Sequence, residues 1–284
     1  MTGKVVRLEE AVSVAGDGAH VALTGFAITR NAIAISHALI RSGRRGLHVS
    51  QVIGGMETDL LVGAGCVERL TYSGGSLDRF GPLHAVNRGI GRGSVAVAEY
   101  SSLALTLRFH AAALGLPYAP ARSMLGSDLL GPLLASGEVR LAADPFEGSP
   151  IVQLSPLRPD VAFVHADIAD EAGNAAVAGP TWALRESAFA ARSVTVVCEE
   201  VVPVGSIDPD AVVIPATIVD AVAVVPNGAH PTAVYQRYDY DRTHLQNYAA
   251  ASLEGADAHA AYLDKFVHGV PDHAAYVDLV GSST

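Results

Sequence analysis

The chain has 284 residues, of which 50% are hydrophobic, and it carries a formal net charge of −10. A chain of this length and composition can bury a sizeable core. The acidic balance argues against nucleic acid or an anionic membrane as a partner, because both are bound through clusters of Lys and Arg.

The apolar segments, the first residues and the cysteines bear on the location of the protein and on metal binding. No stretch reaches the roughly 20 uninterrupted apolar residues of a membrane helix, and the start, MTGKVVRLEEAVSVAG, lacks the apolar core of a signal peptide. We therefore expect a cytoplasmic protein. Cys66 and Cys198 have no Cys or His neighbours at metal-ligand spacing, so we expect two buried thiols and no metal site.

Apolar runs alternate with segments of helical spacing through the first half of the chain. The predicted strands cover residues 21–26, 47–53, 67–72 and 95–98, and the predicted helices cover 31–40, 82–91 and 102–114. Strands that alternate with helices in this way predict an α/β fold, in which a mainly parallel sheet is covered on both faces.

The second half repeats this style after an interruption. Residues 137–159 contain four prolines, and we predict a hairpin-like excursion or irregular flap over 131–159 within a single domain of residues 1–284. Predicted strands follow at 161–164, 194–198, 211–214 and 221–225, with a helix at 182–192. A helical C-terminal segment is predicted over 241–284.

Small residues follow several predicted strands. Gly25 closes the first strand, and the N–H groups of Phe26 or Ala27 beside it are candidates for an anion or oxyanion pocket. Small residues at 54–55, 74–76 and 126–128 are consistent with loops converging on one ligand, although each alone is more typical of a tight turn. Dinucleotide-binding, P-loop and serine-hydrolase motifs are missing, so NAD and nucleoside triphosphates have little support.

The stretch from 99 to 128 is rich in polar groups. Glu99 ends a predicted strand, and after a helix the chain returns with Arg122, Ser127 and Asp128. Ligands of open α/β sheets bind beyond the carboxyl ends of strands, so the Glu99 carboxylate and the Arg122 guanidinium are candidates to line one site. The alternative is an ion pair that only ties two loops together.

His165, Asp167 and Asp170 look like a catalytic or metal-binding group. The sequence DEAGN that follows is typical of a tight turn, in which Asp side chains accept hydrogen bonds from nearby backbone N–H groups. We therefore predict a structural role for these residues.

Several segments together resemble the A subunits of family I CoA-transferases, most nearly those acting on glutaconate and 3-oxoadipate. They are TGF at 24–26, LLVGAGCVERL at 60–70, AEYSSLAL at 98–105, AAALGLPYAPARSMLGSDL at 111–129, DVAFVHADIADEAGN at 160–174, VTVVCEEVV at 194–202 and NGAHPTAVYQRYDYD at 227–241. The resemblance covers nearly the whole chain in the same order.

This resemblance implies an enzyme that moves CoA from an acyl-CoA to a small dicarboxylic or 3-oxo acid. CoA is then a substrate, and no permanently bound cofactor is expected. The partner is a B subunit, in a heterodimer or heterotetramer. The resemblance places the nucleophilic glutamate on that second chain, and no Glu of this chain lies in the Glu-Asn-Gly setting of the family's nucleophile.

The resemblance also assigns roles to residues of this chain. Gly25 and Phe26 match the turn beside the reacting thioester, and Ser76 lies next to a substrate-contacting position. Arg122 would pair with the distal carboxylate of the acid. Ser127 and Asp128, in the same return, are further candidates for substrate binding.

Two alternatives remain open. The chain also resembles the A subunit of the ring-opening acyl-CoA hydrolase of steroid catabolism, in which Glu99 would be a general base on water with Arg122 beside it. A non-catalytic subunit that only binds acyl-CoA is the second alternative.

Overall fold

The computed structural model of the protein describes residues 3–281. Its strands are β1 (Val5–Val6), β2 (His20–Leu23), β3 (Leu47–Gln51), β4 (Val67–Tyr72), β5 (Ala96–Glu99), β6 (Ala119–Ala121), β7 (Val139–Ala143), β8 (Pro150–Leu154), β9 (Val161–Asp170), β10 (Ala175–Ala176), β11 (Ser193–Val202), β12 (Val212–Ile214) and β13 (Ala221–Val224). Its helices are α1 (Leu8–Val12), α2 (Ile33–Arg41), α3 (Met56–Gly63), α4 (His84–Gly91), α5 (Ser102–Ala113), α6 (Leu130–Ala135), α7 (Leu184–Ala190), α8 (Arg242–Glu254), α9 (Ala256–Leu263) and α10 (His273–Gly281).

The main sheet has the strand order β1-β13-β11-β9-β2-β3-β4-β5, and neighbours along this path are parallel. The chain runs outward from β2 to β5 on one side and from β9 to β13 on the other. β2 and β9 therefore flank the topological switch point, where open α/β sheets bind their ligands. The predicted α/β fold with a mainly parallel sheet is confirmed.

Both faces of the sheet are buried at β2, near its centre. Val21 and Leu23 of β2 pack in one core with residues of α2, α3 and the C-terminal helices. Ala22, between them, faces a second core built with α5 and the segment around β8. The alternation follows from the period of two along a strand, and burial on both faces explains why β2 is apolar from residue 21 to residue 23.

Of the two alternatives predicted for 131–159, a hairpin-like excursion and an irregular flap, the structure has the hairpin. β7 and β8 form an antiparallel hairpin, and β6 pairs with the other edge of β8. Its prolines occupy positions where no ladder hydrogen bond is lost, since Pro150 begins β8 and Pro145 lies in the hairpin turn. Val152 and Leu154 are buried in the second core, which fixes the hairpin against α5.

Two strands are longer than the sequence predicted. β9 continues to Asp170 and β11 to Val202, and the two stay in parallel register through Val202 and Asp170. The polar residues after 164 therefore lie in a strand, and the predicted turn is confined to the residues after Asp170. The strands predicted from the apolar pattern ended too early, because the carboxyl halves of β9 and β11 carry polar side chains.

Helices α8 to α10 cover the same face as α2 and α3. Asp241 caps α8 by accepting a hydrogen bond from the N–H of His244. The carboxylate of Asp59 in α3 is fully buried and accepts hydrogen bonds of 2.8 Å each from the hydroxyls of Tyr248 and Ser252 in α8. Residues 282–284 of the predicted segment lie outside the described residues. Within 3–281, no helix combines the length and apolarity needed to cross a bilayer.

We predict that Asp59→Ala lowers the free energy of unfolding by about 3 kcal/mol, because the Ser252 hydroxyl and the N–H of Val86 lose their buried acceptor and the Tyr248 hydroxyl keeps only its contact with His259. Chemical denaturation followed by circular dichroism measures this. The same change at the exposed Asp278 of α10 serves as the control and should alter stability by less than about 0.5 kcal/mol. Equal, small effects of both substitutions would contradict this role of Asp59.

Candidate functional site

The candidate site lies at the carboxyl end of β2, where this strand stops pairing with β9. Backbone pairing between the two strands ends at Leu23 and Phe163. The Thr24 hydroxyl then donates to the Phe163 carbonyl at 3.2 Å and accepts from the N–H of His165 at 3.3 Å. The Thr24 side chain therefore takes the place of backbone hydrogen bonds between the two strands. The chain then turns away from β9 at Gly25, while β9 continues.

The loops after β2 to β5 lie side by side along this edge of the sheet. Bridges continue the parallel pairing beyond the strands, joining Phe26 with Ile53 and Gly54 with Gly75. The N–H of Ser76 donates to the Gly54 carbonyl at 3.1 Å. The loops at 54–55 and 74–76 are therefore adjacent, as is expected of loops that follow neighbouring parallel strands.

The turn after Gly25 is tight. Phe26 and Thr29 exchange two backbone hydrogen bonds of 2.9 and 2.8 Å, and Ala27 adopts a positive φ of 51°. The N–H of Phe26 is therefore already engaged. Of the two donors proposed from the sequence, the N–H of Ala27 is the one outside this pair.

An aromatic stack borders the same turn. The ring of Phe26 stacks on the indole of Trp182 with centroids 4.3 Å apart and planes 10° apart. Trp182 precedes α7 and stays 40% exposed, with a narrow cleft between it, Thr24 and Gly25. Sequence analysis missed this residue. Its signal was a single tryptophan at the end of a glycine- and proline-containing loop.

Gly25 and the residues beneath it are in close contact. A Cβ on Gly25 would lie 2.9 Å from the Arg30 carbonyl oxygen, 2.9 Å from Asn31 Nδ2 and 3.0 Å from Glu57 Oε1. Glu57 belongs to the first turn of α3 and is fully buried. Only glycine leaves room for this contact, so its lack of a side chain is a steric requirement.

A buried polar cluster stands at the carboxyl ends of β9 and β11. His165 Nε2 lies 2.9 Å from Glu199 Oε1, and the Tyr238 hydroxyl donates to the same oxygen at 2.6 Å. The N–H of Asn227 donates to Glu199 Oε2 at 2.5 Å. Burial raises the pKa of the Glu199 carboxyl, but the hydrogen bond from His165 and the others outweigh it and hold the pKa below its usual value.

His165 and Asp167 precede the turn predicted over DEAGN and lie in β9. Both side chains are buried in β9, and Asp167 forms an ion pair of 3.0 Å with the buried guanidinium of Arg30. Asp170 does cap a turn, since its Oδ1 accepts from the N–H groups of Ala172 and Asn174. The sequence could not show the long-range partners that bury the first two.

Glu99 and Arg122 arrive on neighbouring connections but are not paired with each other among residues 3–281. Arg122, whose side chain is 60% exposed, forms an ion pair with Glu147 and lies 3.8 Å from Asp144 of the hairpin. Glu99 is exposed at the end of β5. The predicted alternative, a Glu99–Arg122 pair that ties two loops, is therefore wrong.

The two connections are nonetheless joined. The hydroxyl oxygens of Ser101 and Ser123 are 2.6 Å apart. This contact joins the segment that follows Glu99 to the segment that follows Arg122. Ser127 donates to the Met124 carbonyl at 2.8 Å, and Asp128 is exposed in the same turn. Substrate contacts of these residues stay predictions, as does that of Ser76.

No group of three or more His, Cys, Asp and Glu side chains within 3–281 is arranged to hold a metal ion. Cys66 and Cys198 are buried and unpaired, as predicted.

A family model described as coenzyme A transferase matches residues 5–224. The chain belongs to this family. It is 31% identical to the A subunit of 3-oxoadipate CoA-transferase from Pseudomonas knackmussii, with 96% of each chain covered. It is 37% identical, over its whole length, to an uncharacterised protein of Archaeoglobus fulgidus, of which it spans only 63%.

A solved coenzyme A-transferase agrees in fold. The structure of glutaconate coenzyme A-transferase from Acidaminococcus fermentans overlaps with a TM-score of 0.92 and 28% identity, covering 99% of this chain and 93% of that one. The cholesterol ring-cleaving hydrolase IpdA subunit of Mycobacterium tuberculosis is 30% identical, with 89% of each chain covered. The resemblance to the A subunits of CoA-transferases is confirmed.

In this member of the coenzyme A transferase family, we predict that Gly25→Ala destabilises the fold by about 2 kcal/mol, because the new methyl group must displace Arg30, Asn31 or Glu57. Thermal and chemical unfolding measure the change. Gly131→Ala in α6, where nothing lies within 4 Å of an added Cβ, is the matched control and should be neutral or stabilising. If both variants behave alike, the turn is not constrained as described.

Proposed function

We propose that this chain is the A subunit of a two-chain CoA-transferase that moves CoA from an acyl-CoA to a small dicarboxylic or 3-oxo acid. The observation that carries the proposal is its near-complete overlap with glutaconate coenzyme A-transferase. The similarity to a relative named for 3-oxoadipate supports the same substrate class. The partner is a B subunit, because the relatives that act on 3-oxoadipate and glutaconate are themselves named as A subunits.

In the proposed reaction, the B subunit's glutamate attacks the thioester carbonyl and expels the CoA thiolate, leaving an acyl anhydride. The thiolate then attacks the glutamyl carbonyl of the anhydride, which releases the first acid and forms a glutamyl-CoA thioester. The second acid takes up CoA by the reverse steps. Each attack places negative charge on a carbonyl oxygen, and the N–H of Ala27 is the proposed donor to it.

Arg122 is proposed to bind the distal carboxylate of the acid. Its present partners, Glu147 and Asp144, are carboxylates on the hairpin, and the pair with Glu147 is largely exposed to solvent. Exposed ion pairs contribute about 0–1 kcal/mol, so exchanging Glu147 for a substrate carboxylate costs little. A bidentate contact would then select acids with a second carboxylate.

A second candidate is ring-cleaving hydrolysis of a cyclic acyl-CoA, as the name of the similar IpdA subunit suggests. The observation that favours it is the exposed carboxylate of Glu99, which has no ion-pair partner among residues 3–281. Such a carboxylate is available as a general base on water.

The test uses this chain copurified with its B subunit, an acyl-CoA, and glutaconate or 3-oxoadipate as free acid. Mass spectrometry follows the CoA. The proposal predicts a new thioester of the added acid and release of the first acid. Ring-opened product that keeps its CoA, without transfer to any acid, would instead support the hydrolase.

Variants of the same complex separate the residue roles. Arg122→Ala should raise the KM for the acid about 10-fold or more, because a charge-assisted contact is lost, while Arg140→Ala, at an exposed position of β7, should leave it unchanged. Glu99→Ala should change transfer only a few-fold, whereas hydrolysis would lose about 10²-fold or more. Unchanged kinetics in both site variants would favour a subunit that only binds acyl-CoA.

A further inference from the structure

A buried carboxyl group lies directly beneath the turn after Gly25. Glu57 Oε1 accepts hydrogen bonds from Asn31 Nδ2 at 2.8 Å and from the side-chain amide of Gln51. The carbonyl of that amide accepts from the Thr58 hydroxyl at 2.5 Å. Oε2 is buried and has no partner with hydrogen-bond geometry.

Two glycines closely approach this carboxyl group. Gly25 faces Oε1, and a Cβ on Gly55 would lie 2.7 Å from Oε2 and 2.2 Å from the Ala27 carbonyl oxygen. Oε2 and the Ala27 carbonyl thus border the same small space. Both are acceptors when Glu57 is ionised, so they repel each other unless one oxygen carries a proton.

The charge state of Glu57 is set by its surroundings. The side chains that face it are the amides of Asn31 and Gln51 and the hydroxyl of Thr58, all uncharged. The guanidinium of Arg30 forms its ion pair with Asp167 and not with Glu57. Burial raises the pKa of Glu57 to about 7, against opposing hydrogen bonds from Gln51, Asn31 and the backbone at the start of α3.

We propose that Glu57 is a positioning residue that holds the Gly25–Ala27 turn in its protonated form, with its Oε2–H donating to the Ala27 carbonyl. This hydrogen bond would fix the peptide that follows Ala27, and with it the residue whose own N–H is the proposed donor to the reacting thioester, so the inference rests on and deepens the proposed function of this turn. Loss of the proton puts two acceptors side by side and loosens the turn. Transfer therefore slows as pH rises.

The sign follows from linkage. A carboxyl whose pKa is higher in the folded chain than in the unfolded chain stabilises the fold below the unfolded value of 4.5. That contribution is lost as pH rises to about 7. Glu57→Gln keeps a neutral group of the same shape, with a carbonyl for Asn31 and Gln51 and an N–H for Ala27, and removes the titration.

The experiment compares wild type, Glu57→Gln and the exposed control Glu254→Gln in the complex with the B subunit, from about pH 6 to about pH 9. Above its pKa the population of protonated Glu57 falls tenfold per pH unit. We expect kcat for CoA transfer to fall by about that factor in wild type and control. In Glu57→Gln it should stay pH-independent over this range, within about threefold of the wild-type value near pH 6. An alkaline fall that persists in Glu57→Gln overturns the proposal.

A second readout does not depend on the reaction. Hydrogen exchange of the Phe26 and Thr29 amides in the wild-type chain, corrected for intrinsic rates, should lose protection through about pH 7. Protection that does not change with pH overturns the proposal even where Glu57→Gln fails to fold. If no acid accepts CoA but protection still falls, the proposed function fails and the role of Glu57 in the turn stands.

Discussion

The structure depends on how β2 and β9 separate. The two strands are parallel neighbours as far as Leu23 and Phe163, where the Thr24 hydroxyl takes over one step of the ladder. This single side chain lets β2 end in a glycine turn while β9 continues into the polar cluster around Glu199. The crevice at the switch point exists because one strand stops and its partner does not.

Polar contacts hold the backbone at the point where β2 and β9 diverge. The turn at Gly25 rests on the buried Glu57 carboxyl, and Arg30, shortly before α2 begins, is neutralised by Asp167 in β9. Buried charges and carboxyl groups are costly unless paired or protonated. The loops that approach the thioester in the proposed reaction are thus held by polar contacts as much as by the apolar cores on either face of the sheet.

Local pattern was enough to predict the fold, because a parallel sheet buried on both faces leaves apolar runs that helices separate. The same pattern also placed Gly25, Ser76 and Glu99 at or just after the ends of strands. It could not predict the partners of His165 or the burial of Glu57, since these depend on residues more than twenty positions away or on an adjacent glycine. The apolar pattern failed where polar side chains continue β9, and the prolines of 137–159 left a hairpin and an irregular flap as alternatives, of which the hairpin is observed.

In the proposed enzyme, this chain supplies the walls, donors and charges of a site whose attacking carboxylate belongs to a second chain. The most direct measurement is thioester turnover by the purified chain, alone and after addition of the B subunit, with acyl-CoA and a dicarboxylic acid. The account predicts no turnover above background for the chain alone and CoA transfer once both chains are present. Enzymatic turnover by the chain alone would contradict it.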